Sequence, residues 1–560
     1  MVARFYKLLT QSVEDIHKAA YILATFSLFS QILALVRDRL FASTFGASET
    51  LDIYYAAFRI PDLLYVSVAS VVSLGALVPL LVQKIEKNKE EAKRFVNGMF
   101  TFFFLLISTV CAALFFVVPF ITPLLFPGFE SQAAQAELIL LTRILLLQPI
   151  LLGLSSLLAG VTHVYKKFFV YSIGLLLYNV GIIFGLLFLY PTFGLAGLGM
   201  GVVAGALLQF IIQLSANVRE GFVPFPRFSL RRADLKEVLS LSIPRTITLS
   251  ASQLVMLVLI SLASLLEEGS ITVFNFSYNL QSVPLTIIGV SYSVAAFPTL
   301  ARLYSAGKTL LFARQIASAA RHIIFWSLPA MVLFIVLRAQ IVRVILGAGE
   351  FSWSDTRLTA ATLGIFSISI VAQALVLLFV RGYYAAGKTR RPLVIAVITS
   401  LSTLVLAFLS LTLVETYPTV RYFLESLFRV EGLTGTRVLI LALVYSIGQT
   451  MSALLLWYSF SRDFKEFAVP VRSAFLHSLS SSVFIGFVSY TCLGIFDNVF
   501  DINTFLGIFW QGLLSGVIGI IAGIILLNLL GNREIKEIQR ALHSRFSSRE
   551  VLISDEYSQK

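Results

Sequence analysis

Long apolar stretches recur along the whole chain and constrain its fold more than any other feature. Each is long enough to cross the roughly 30 Å hydrocarbon core of a bilayer as an α-helix, which takes about 20 residues. Open strands cannot span a bilayer, because their backbone polar groups would lack partners there, and the sequence lacks the alternation of a β-barrel. We therefore predict an all-α polytopic membrane protein.

About fourteen stretches qualify, and we number them spans 1 to 14 in chain order. Their approximate bounds are 18–43, 54–84, 95–122, 137–163, 168–190, 194–217, 239–265, 271–302, 311–338, 355–385, 391–415, 436–461, 473–495 and 504–530. An even number of spans places both termini on the same side of the membrane.

The composition supports a membrane location and narrows the partners. Hydrophobic residues make up 58% of the 560 residues and charged residues 13%, whereas soluble proteins average about 45–50% and about 25%. The net charge of +13 comes without any nucleic-acid-binding motif. Basic residues gather in cytoplasmic loops, where they meet anionic lipids. We expect anionic membrane lipids as partners and no nucleic acid.

Residues that would indicate enzymatic chemistry are sparse. Cys111 and Cys492 both lie inside apolar stretches, which excludes a disulfide framework and a cysteine-based metal site. The five histidines lack zinc-binding spacing, and there is no nucleophile–base set or glycine-rich phosphate loop. We expect no enzyme, no metal and no cofactor, apart from a coupling ion, H+ or Na+, whose identity the sequence does not give.

Basic residues alternate between connections and thereby predict the orientation. The basic connections are 84–94, 166–167, 219–236, 302–314, 388–391 and 462–472, together with the tail from Arg533 to Arg545. The opposite connections include 128–137 and 265–269, which are acidic or neutral, although Arg338, Arg343 and the 416–436 loop are basic exceptions. The positive-inside rule then places both termini in the cytoplasm.

Two longer connections and a repeat indicate the organisation of the bundle. Residues 218–237, with two prolines, form a basic cytoplasmic linker between two bundles, and 416–436 suits an interfacial helix on the outer surface. Spans 2 and 8 share an aromatic-rich start, an early proline and a later Pro-x-Leu. The offset of six spans keeps orientation, which predicts a parallel repeat, as in two-lobed transporters with a central cavity.

Charged side chains in or beside spans 1 and 2 are the sharpest local signal. They are Arg37, Asp38, Arg39, Asp52, Arg59 and Asp62. Charges in a membrane are costly, so they pair with one another or face a wet cavity. Two readings stay open and are compatible: an Arg–Asp clamp such as Arg37 or Arg39 with Asp52, and direct contact of Arg37 or Arg59 with an anion. We assign Asp38 and Arg39 to a structural ion pair.

Three further arginines lie inside spans. Arg143 and Arg245 are candidates for a cavity, whereas Arg381 lies near a basic loop and is expected to reach its polar end into the interface. A guanidinium group donates two parallel hydrogen bonds to phosphate oxygens, so such arginines favour an anionic, phosphorylated substrate. We assign the 20 tyrosines and 48 phenylalanines no site.

Three segments carry a resemblance to a known family. They are Arg37-Asp38 through Phe45-Gly46-Ala47, Asp52 through Phe58-Arg59-Ile60-Pro61, and Val78-Pro79, with a weaker likeness over 240–300. This pattern resembles the MurJ (MviN) lipid II flippases of the multidrug/oligosaccharidyl-lipid/polysaccharide exporter superfamily. The resemblance implies fourteen helices in two six-helix lobes plus two C-terminal helices.

The implied domains follow from that likeness. They are an N-lobe at 1–217, the cytoplasmic linker at 218–237, a C-lobe at 238–465, spans 13 and 14 with a groove for a lipid tail at 466–530, and a cytoplasmic tail at 531–560.

The resemblance also implies a substrate and the residues that bind it. Family members export the lipid-linked peptidoglycan precursor by alternating access, with a cationic cavity for its pyrophosphate-sugar head. Arg37, Asp52 and Arg59 match family positions, whereas family arginines fall here on Gln31, Tyr65 and Asn279, and the E-G-A-F motif falls on Ser70-Val-Val-Ser73. Arg143 or Arg245 is a candidate to replace the missing charge.

We therefore expect a lipid II flippase of the bacterial inner membrane that serves cell-wall biosynthesis and cell shape. The predicted partners are undecaprenyl-pyrophosphate glycan, anionic lipids and cell-wall synthesis enzymes. The alternatives are a polysaccharide-unit flippase or a multidrug antiporter of the same superfamily, and a membrane scaffold without transport activity. The predicted substrate-binding set is Arg37, Asp52, Arg59, Arg143, Arg245 and Asn279.

Overall fold

The chain is all-α over the residues that the computed structural model describes, which are 16–69, 74–222, 231–464, 467–532 and 534–535. Within these ranges there are no β-strands. The helices are α1 (Ile16–Phe45), α2 (Glu49–Ala57), α3 (Arg59–Ala69), α4 (Leu74–Lys87), α5 (Lys89–Leu125), α6 (Gln132–Leu145), α7 (Leu147–Val164), α8 (Phe168–Phe184), α9 (Tyr190–Phe193), α10 (Leu195–Arg219), α11 (Arg232–Ser264), α12 (Ser270–Pro284), α13 (Ser291–Ser305), α14 (Thr309–Val336), α15 (Arg338–Leu346), α16 (Trp353–Ser367), α17 (Ile370–Ala385), α18 (Arg390–Thr416), α19 (Thr419–Phe428), α20 (Val438–Asp463), α21 (Ala468–Phe496) and α22 (Phe505–Leu529).

The membrane character predicted from hydropathy is confirmed, but the count of fourteen is not. Among the described residues, eleven helices are long and apolar enough to cross a membrane, and α16 with α17 makes a bent twelfth. These match predicted spans 3 to 14. Predicted span 1 falls on α1. Predicted span 2 is divided among α2, α3 and α4, and Ser70-Val-Val-Ser73 lies outside the described residues.

Helix starts and breaks follow local chemistry. The side chain of Asn88 accepts a hydrogen bond from Glu90 N at the start of α5, and Ser131 accepts one from Ala134 N at the start of α6. After Pro284, residues Leu285–Val290 form a π-helical segment, and Gly185–Leu189 form another between α8 and α9.

The linker predicted at 218–237 is shorter than expected. Helix α10 continues to Arg219 and α11 already begins at Arg232, while residues 223–230 lie outside the described residues. Most of the basic tail, from 536 onward, and Arg533 also lie outside them. The predicted helix within 416–436 is present as α19, whose Tyr422, Phe423 and Leu427 are all more than half exposed.

The chain forms two compact units, which do not coincide with the predicted lobes. Unit 1 comprises 1–280, 345–362 and 388–452, and unit 2 comprises 281–344, 363–387 and 453–560. The N-lobe and the C-lobe therefore stay a prediction.

Unit 1 is held by an apolar core and by close helix contacts. Phe95, Met99 and Phe103 of α5 are buried against α4 and α7. Glycines line the crossing of α8 and its π-helical segment with α10. A Cβ on Gly181 would lie 2.2 Å from Gly205 Cα, and a Cβ on Gly201 would lie 2.4 Å from Gly185 Cα. Only glycine permits this approach, as is common between membrane helices.

Unit 2 has its own aromatic core. Phe312, Phe379, Tyr383 and Phe460 are fully buried, and the Phe379 and Phe460 ring centroids lie 5.5 Å apart. Arg381 of α17 donates to Val290 O and Ser293 Oγ, at 3.2 and 2.7 Å. Its guanidinium group therefore bonds within unit 2, although we predicted that it would reach the interface.

Candidate functional site

A cavity of about 350 Å³ within unit 1 is the candidate site. Helices α1, α2, α3, α8, α11, α12 and α20 all contribute side chains to its lining. The volume is near the lower limit for small-molecule sites. Three predicted site residues line it: Arg37, Arg59 and Asn279.

Arg37 projects from α1 and is held by a bonded network. Its Nε and Nη2 donate to Oδ1 of Asp38, at 3.0 and 2.7 Å, and its Nη1 donates to Asn179 Oδ1 at 3.2 Å. Asn279 Nδ2 of α12 donates to the other carboxylate oxygen of Asp38 at 3.0 Å. Among the described residues, three of its five guanidinium N–H groups are thus used, and two remain for a ligand.

This network corrects the predicted ion pair. The carboxylate of Asp38 pairs with Arg37, its chain neighbour, rather than with Arg39 as we predicted. Arg39 Nη1 donates to Ile345 O at 3.3 Å. Asp38 is almost fully buried, so the ion pair orients Arg37 and offsets the cost of the charge in the membrane.

Arg59 is the second cationic side chain of the lining. Its Nη2 donates to Asn275 Oδ1 of α12, and its buried Nε has no hydrogen-bond partner among the described residues. Asp62, one helical turn further along α3, lines the cavity as well. The hydrogen bond to Asn275 uses one of its five guanidinium N–H groups, so Arg59 keeps donors for an anionic group in the cavity.

Asp52 does not line the cavity, and the predicted clamp between it and an arginine is wrong. Its Oδ1 accepts hydrogen bonds from Thr272 N and Oγ1, both at 2.7 Å, and its Oδ2 accepts one from Gly269 N at 2.8 Å. The carboxylate therefore caps the first turn of α12, where free N–H groups and the helix dipole favour a negative charge. Its role here is structural.

Arg143 and Arg245 do not line the cavity either. Arg143 Nε donates to Phe115 O at 3.0 Å, and its guanidinium group lies 4.5 Å from the Phe115 ring centroid. Arg245 lies on α11, two turns before Ser252 and Gln253, which do line the cavity. The geometry therefore gives no support to the idea that these arginines replace the missing cavity charge.

Several lining residues are not among the predicted site residues. They are neutral: Tyr54, Tyr55, Tyr178, Ser252, Gln253, Asn275, Tyr278, Tyr445 and Gln449. The glutamines could have been predicted from the sequence, because an amide inside an apolar span needs a polar partner. The tyrosines carried none, since a tyrosine in a span also suits packing and the membrane interface.

Comparison with known proteins decides the family. The sequence model of the family described as lipid II flippase MurJ matches residues 41–510. The chain belongs to the MurJ lipid II flippase family. This match includes the cavity residues of α2, α3, α8, α11, α12 and α20, but begins after Arg37.

Relatives and solved structures are consistent with this family. The chain is 29% identical over 375 residues to the probable lipid II flippase MurJ of Buchnera aphidicola, covering 66% of this chain and 73% of the relative. It is 25% identical to the lipid II flippase MurJ of Burkholderia cenocepacia, a match that covers 68% of this chain and 76% of the relative. It is 23% identical to the probable lipid II flippase MurJ of Borreliella burgdorferi, a match that covers 83% of this chain and 94% of the relative.

Two solved structures share the fold. One, of lipid II flippase MurJ in an inward closed conformation, has a TM-score of 0.73 at 24% identity and covers 91% of this chain and 98% of its own. The other, an inward-facing MATE family multidrug resistance transporter of the MOP superfamily, has a TM-score of 0.62 at 16% identity and covers 78% and 95%.

Proposed function

We propose that this protein moves lipid II from the inner to the outer leaflet of the cytoplasmic membrane, for peptidoglycan synthesis. The family match over residues 41–510 carries the proposal. The cavity supports it, because two arginines, Arg37 and Arg59, face a space enclosed by membrane helices. The protein is multi-pass, and we place both termini in the cytoplasm by the charges of its connections.

In this proposal the two arginines bind the pyrophosphate of the head group. Arg59 offers the guanidinium N–H groups that Asn275 leaves unused, and Arg37 offers the two that Asp38 and Asn179 leave unused among the described residues. Asp38 and Asn179 hold the Arg37 guanidinium group in place before the substrate arrives, which reduces the entropy lost on binding. Alternating access then exposes the loaded cavity to the outer side.

The polyprenyl tail remains outside the cavity, and we assign it to the region of α21 and α22. Both helices carry many exposed apolar side chains, among them Phe487, Leu506 and Ile525. The proposal has three further parts. Cell-wall synthesis enzymes are partners, anionic lipids surround the basic connections, and H+ or Na+ is the coupling ion.

The deciding experiment is complementation of a bacterial strain depleted of its own lipid II flippase. The wild-type chain should restore growth, and Arg59→Ala should fail while reaching the membrane at normal levels. Charge-assisted hydrogen bonds contribute about 1.5–3 kcal/mol each, so about a tenfold or greater loss of head-group affinity is expected.

Arg143→Ala is the matched control, since it removes an arginine within a membrane helix that lies outside the cavity. It should restore growth as well as the wild type does. Failure of the wild-type chain, both in this strain and in vesicles that report lipid II movement, would overturn the proposal and favour drug export or a scaffold role.

A further inference from the structure

In the described part of the chain, the charged side chains of the cavity lining come from two helices only. Arg37, Arg59 and Asp62 lie on α1 and α3. We define the neutral wall as Ser252 and Gln253 of α11, Tyr278 of α12, and Tyr445 and Gln449 of α20. No charged side chain of α11, α12 or α20 lines the cavity among the described residues.

The neutral wall is built as one surface. Tyr445 and Gln449 are four residues apart on α20 and so lie on the same helix face. The ring of Tyr445 meets that of Tyr278 edge-on, with centroids 5.7 Å apart, and Tyr445 is itself buried. These contacts restrain the two rings, so the wall has a defined shape before a ligand binds.

The amides of the wall have unused hydrogen-bonding capacity. The side chains of Gln253 and Gln449 make no hydrogen bond within the part of the chain that the structure describes, yet both are half-buried in membrane helices. Each primary amide offers two donors and an acceptor. Placing such groups in a membrane helix is unfavourable unless water or a polar ligand satisfies them.

Formal charge shows why the arginines cannot account for recognition alone. Arg37 and Arg59 contribute two positive charges, and Asp62 together with Asp38, which binds Arg37, contributes two negative charges. Over the described residues the formal sum is zero, so this part of the chain does not supply the excess of positive charge that binds a polyanion strongly. Affinity must then depend on neutral groups as well.

We propose that the neutral wall is the subsite for the sugar of the head group. This inference rests on the proposed function. Sugar hydroxyl and N-acetyl groups are neutral donors and acceptors, which suit the amides of Gln253 and Gln449. Ring faces of Tyr278 and Tyr445 offer apolar surface with a polar edge for the sugar ring. The arginines bind the pyrophosphate, and the neutral wall binds the sugar.

The test measures binding of three lipids to the purified full chain in nanodiscs. They are lipid II, the same lipid-linked disaccharide without its peptide, and sugar-free undecaprenyl pyrophosphate. For Gln253→Met/Gln449→Met, Kd for both sugar-bearing lipids should rise about 10- to 30-fold, the effect of losing two hydrogen bonds. Kd for undecaprenyl pyrophosphate should stay unchanged, which also reports that the variant is folded.

Two control variants are measured in the same assay. Arg59→Ala should weaken binding of all three lipids, and Gln83→Met, which replaces an exposed glutamine of α4, should change none. Gln449→Met alone should show a smaller loss in the same direction as the double variant.

The sugar subsite is overturned if the double variant weakens all three lipids equally or none. It is also overturned if the loss is confined to the lipid that carries the peptide. Equal affinity of the wild-type protein for lipid II and undecaprenyl pyrophosphate would overturn the subsite and leave the proposed function standing. A wild-type chain that neither binds lipid II nor restores growth would overturn the proposed function itself.

Discussion

Single residues in this chain have roles that depend on partners far away in sequence. Asp52 lies in the segment that resembles the family, but its carboxylate caps α12, more than 200 residues later. Asp38 and Asn279 are 241 residues apart and share a hydrogen bond. These contacts make α12 a direct support of the cavity, since Asn275 and Asn279 of the same helix hold Arg59 and Asp38.

Asp52→Ala should lower the stability of the protein. Three donors at the start of α12 lose their acceptor, and a lost cap with buried unpaired donors costs about 2 kcal/mol. Thermal unfolding in detergent micelles measures the effect as a lower Tm, and Asp52→Asn, which keeps one acceptor, should lie between. Glu130→Ala, which removes an exposed carboxylate, should leave the Tm unchanged. An unchanged Tm for Asp52→Ala would show that the cap is dispensable.

The sequence alone drew attention to Arg37 and Arg59, which line the cavity, but not to the residues that they bind. A charged run beside apolar spans identifies Arg37 and Arg59 because unpaired charges are costly in a membrane. It does not show which face of a helix points inward, so it also named Arg143 and Arg245, which do not line this cavity. The partner of Asp52 depends on tertiary structure, so spacing along the chain could not identify it.

At the scale of helices, glycines control how closely α8 and α10 pack. Gly181, Gly185, Gly201 and Gly205 bring the two backbones into contact beside the π-helical segment Gly185–Leu189. On the cavity side, α8 carries Asn179, which binds Arg37, and Tyr178, which lines the cavity. The packing of α8 against α10 therefore positions one side of the site.

Gly201→Ala should destabilise the protein and disturb the cavity together. Its Cβ would lie 2.4 Å from Gly185 Cα, and backbone must move to relieve such a contact. Overpacking of this kind costs about 1–3 kcal/mol. Gly494→Ala is the matched control, since α21 has open space there and alanine favours helix. Thermal unfolding of both variants is the measurement, and equal Tm values would contradict tight packing at Gly201.

Helix boundaries were predicted least well where polar and apolar residues mix. Hydropathy treated 54–84 as one span, whereas the chain breaks at Phe58 between α2 and α3. Helix α11 begins at Arg232, because a basic segment can extend a membrane helix into the membrane interface. Span 8 was predicted as continuous, and the π-helical segment after Pro284 is visible only in the structure.

At the scale of the whole molecule, alternating charge remains the basis for the orientation in the membrane. Hydropathy predicted the fold class well, since apolar length alone decides whether a helix can cross a bilayer. It could not predict the cavity, because a helix surface that faces lipid and one that faces other helices are both apolar. The neutral lining residues, such as Tyr445, resemble their lipid-facing neighbours in sequence.

The orientation predicts which connections are open to the outside. In a background with Cys111→Ser and Cys492→Ser, a membrane-impermeant maleimide should label Glu130→Cys in intact spheroplasts but not Lys308→Cys. Both positions are exposed, so permeabilised cells should show labelling of both. Labelling of Lys308→Cys in intact spheroplasts would invert the proposed topology.

The balance of two arginines and two aspartates at the cavity affects how transport responds to voltage. An empty cavity with no net charge does almost no electrical work when it reorients across the membrane. A bound pyrophosphate adds negative charge, and an interior-negative potential assists its outward movement by about 2.3 kcal/mol per charge per 100 mV. Voltage would then accelerate the loaded half of the cycle and leave the return of the empty protein governed by its conformational equilibrium.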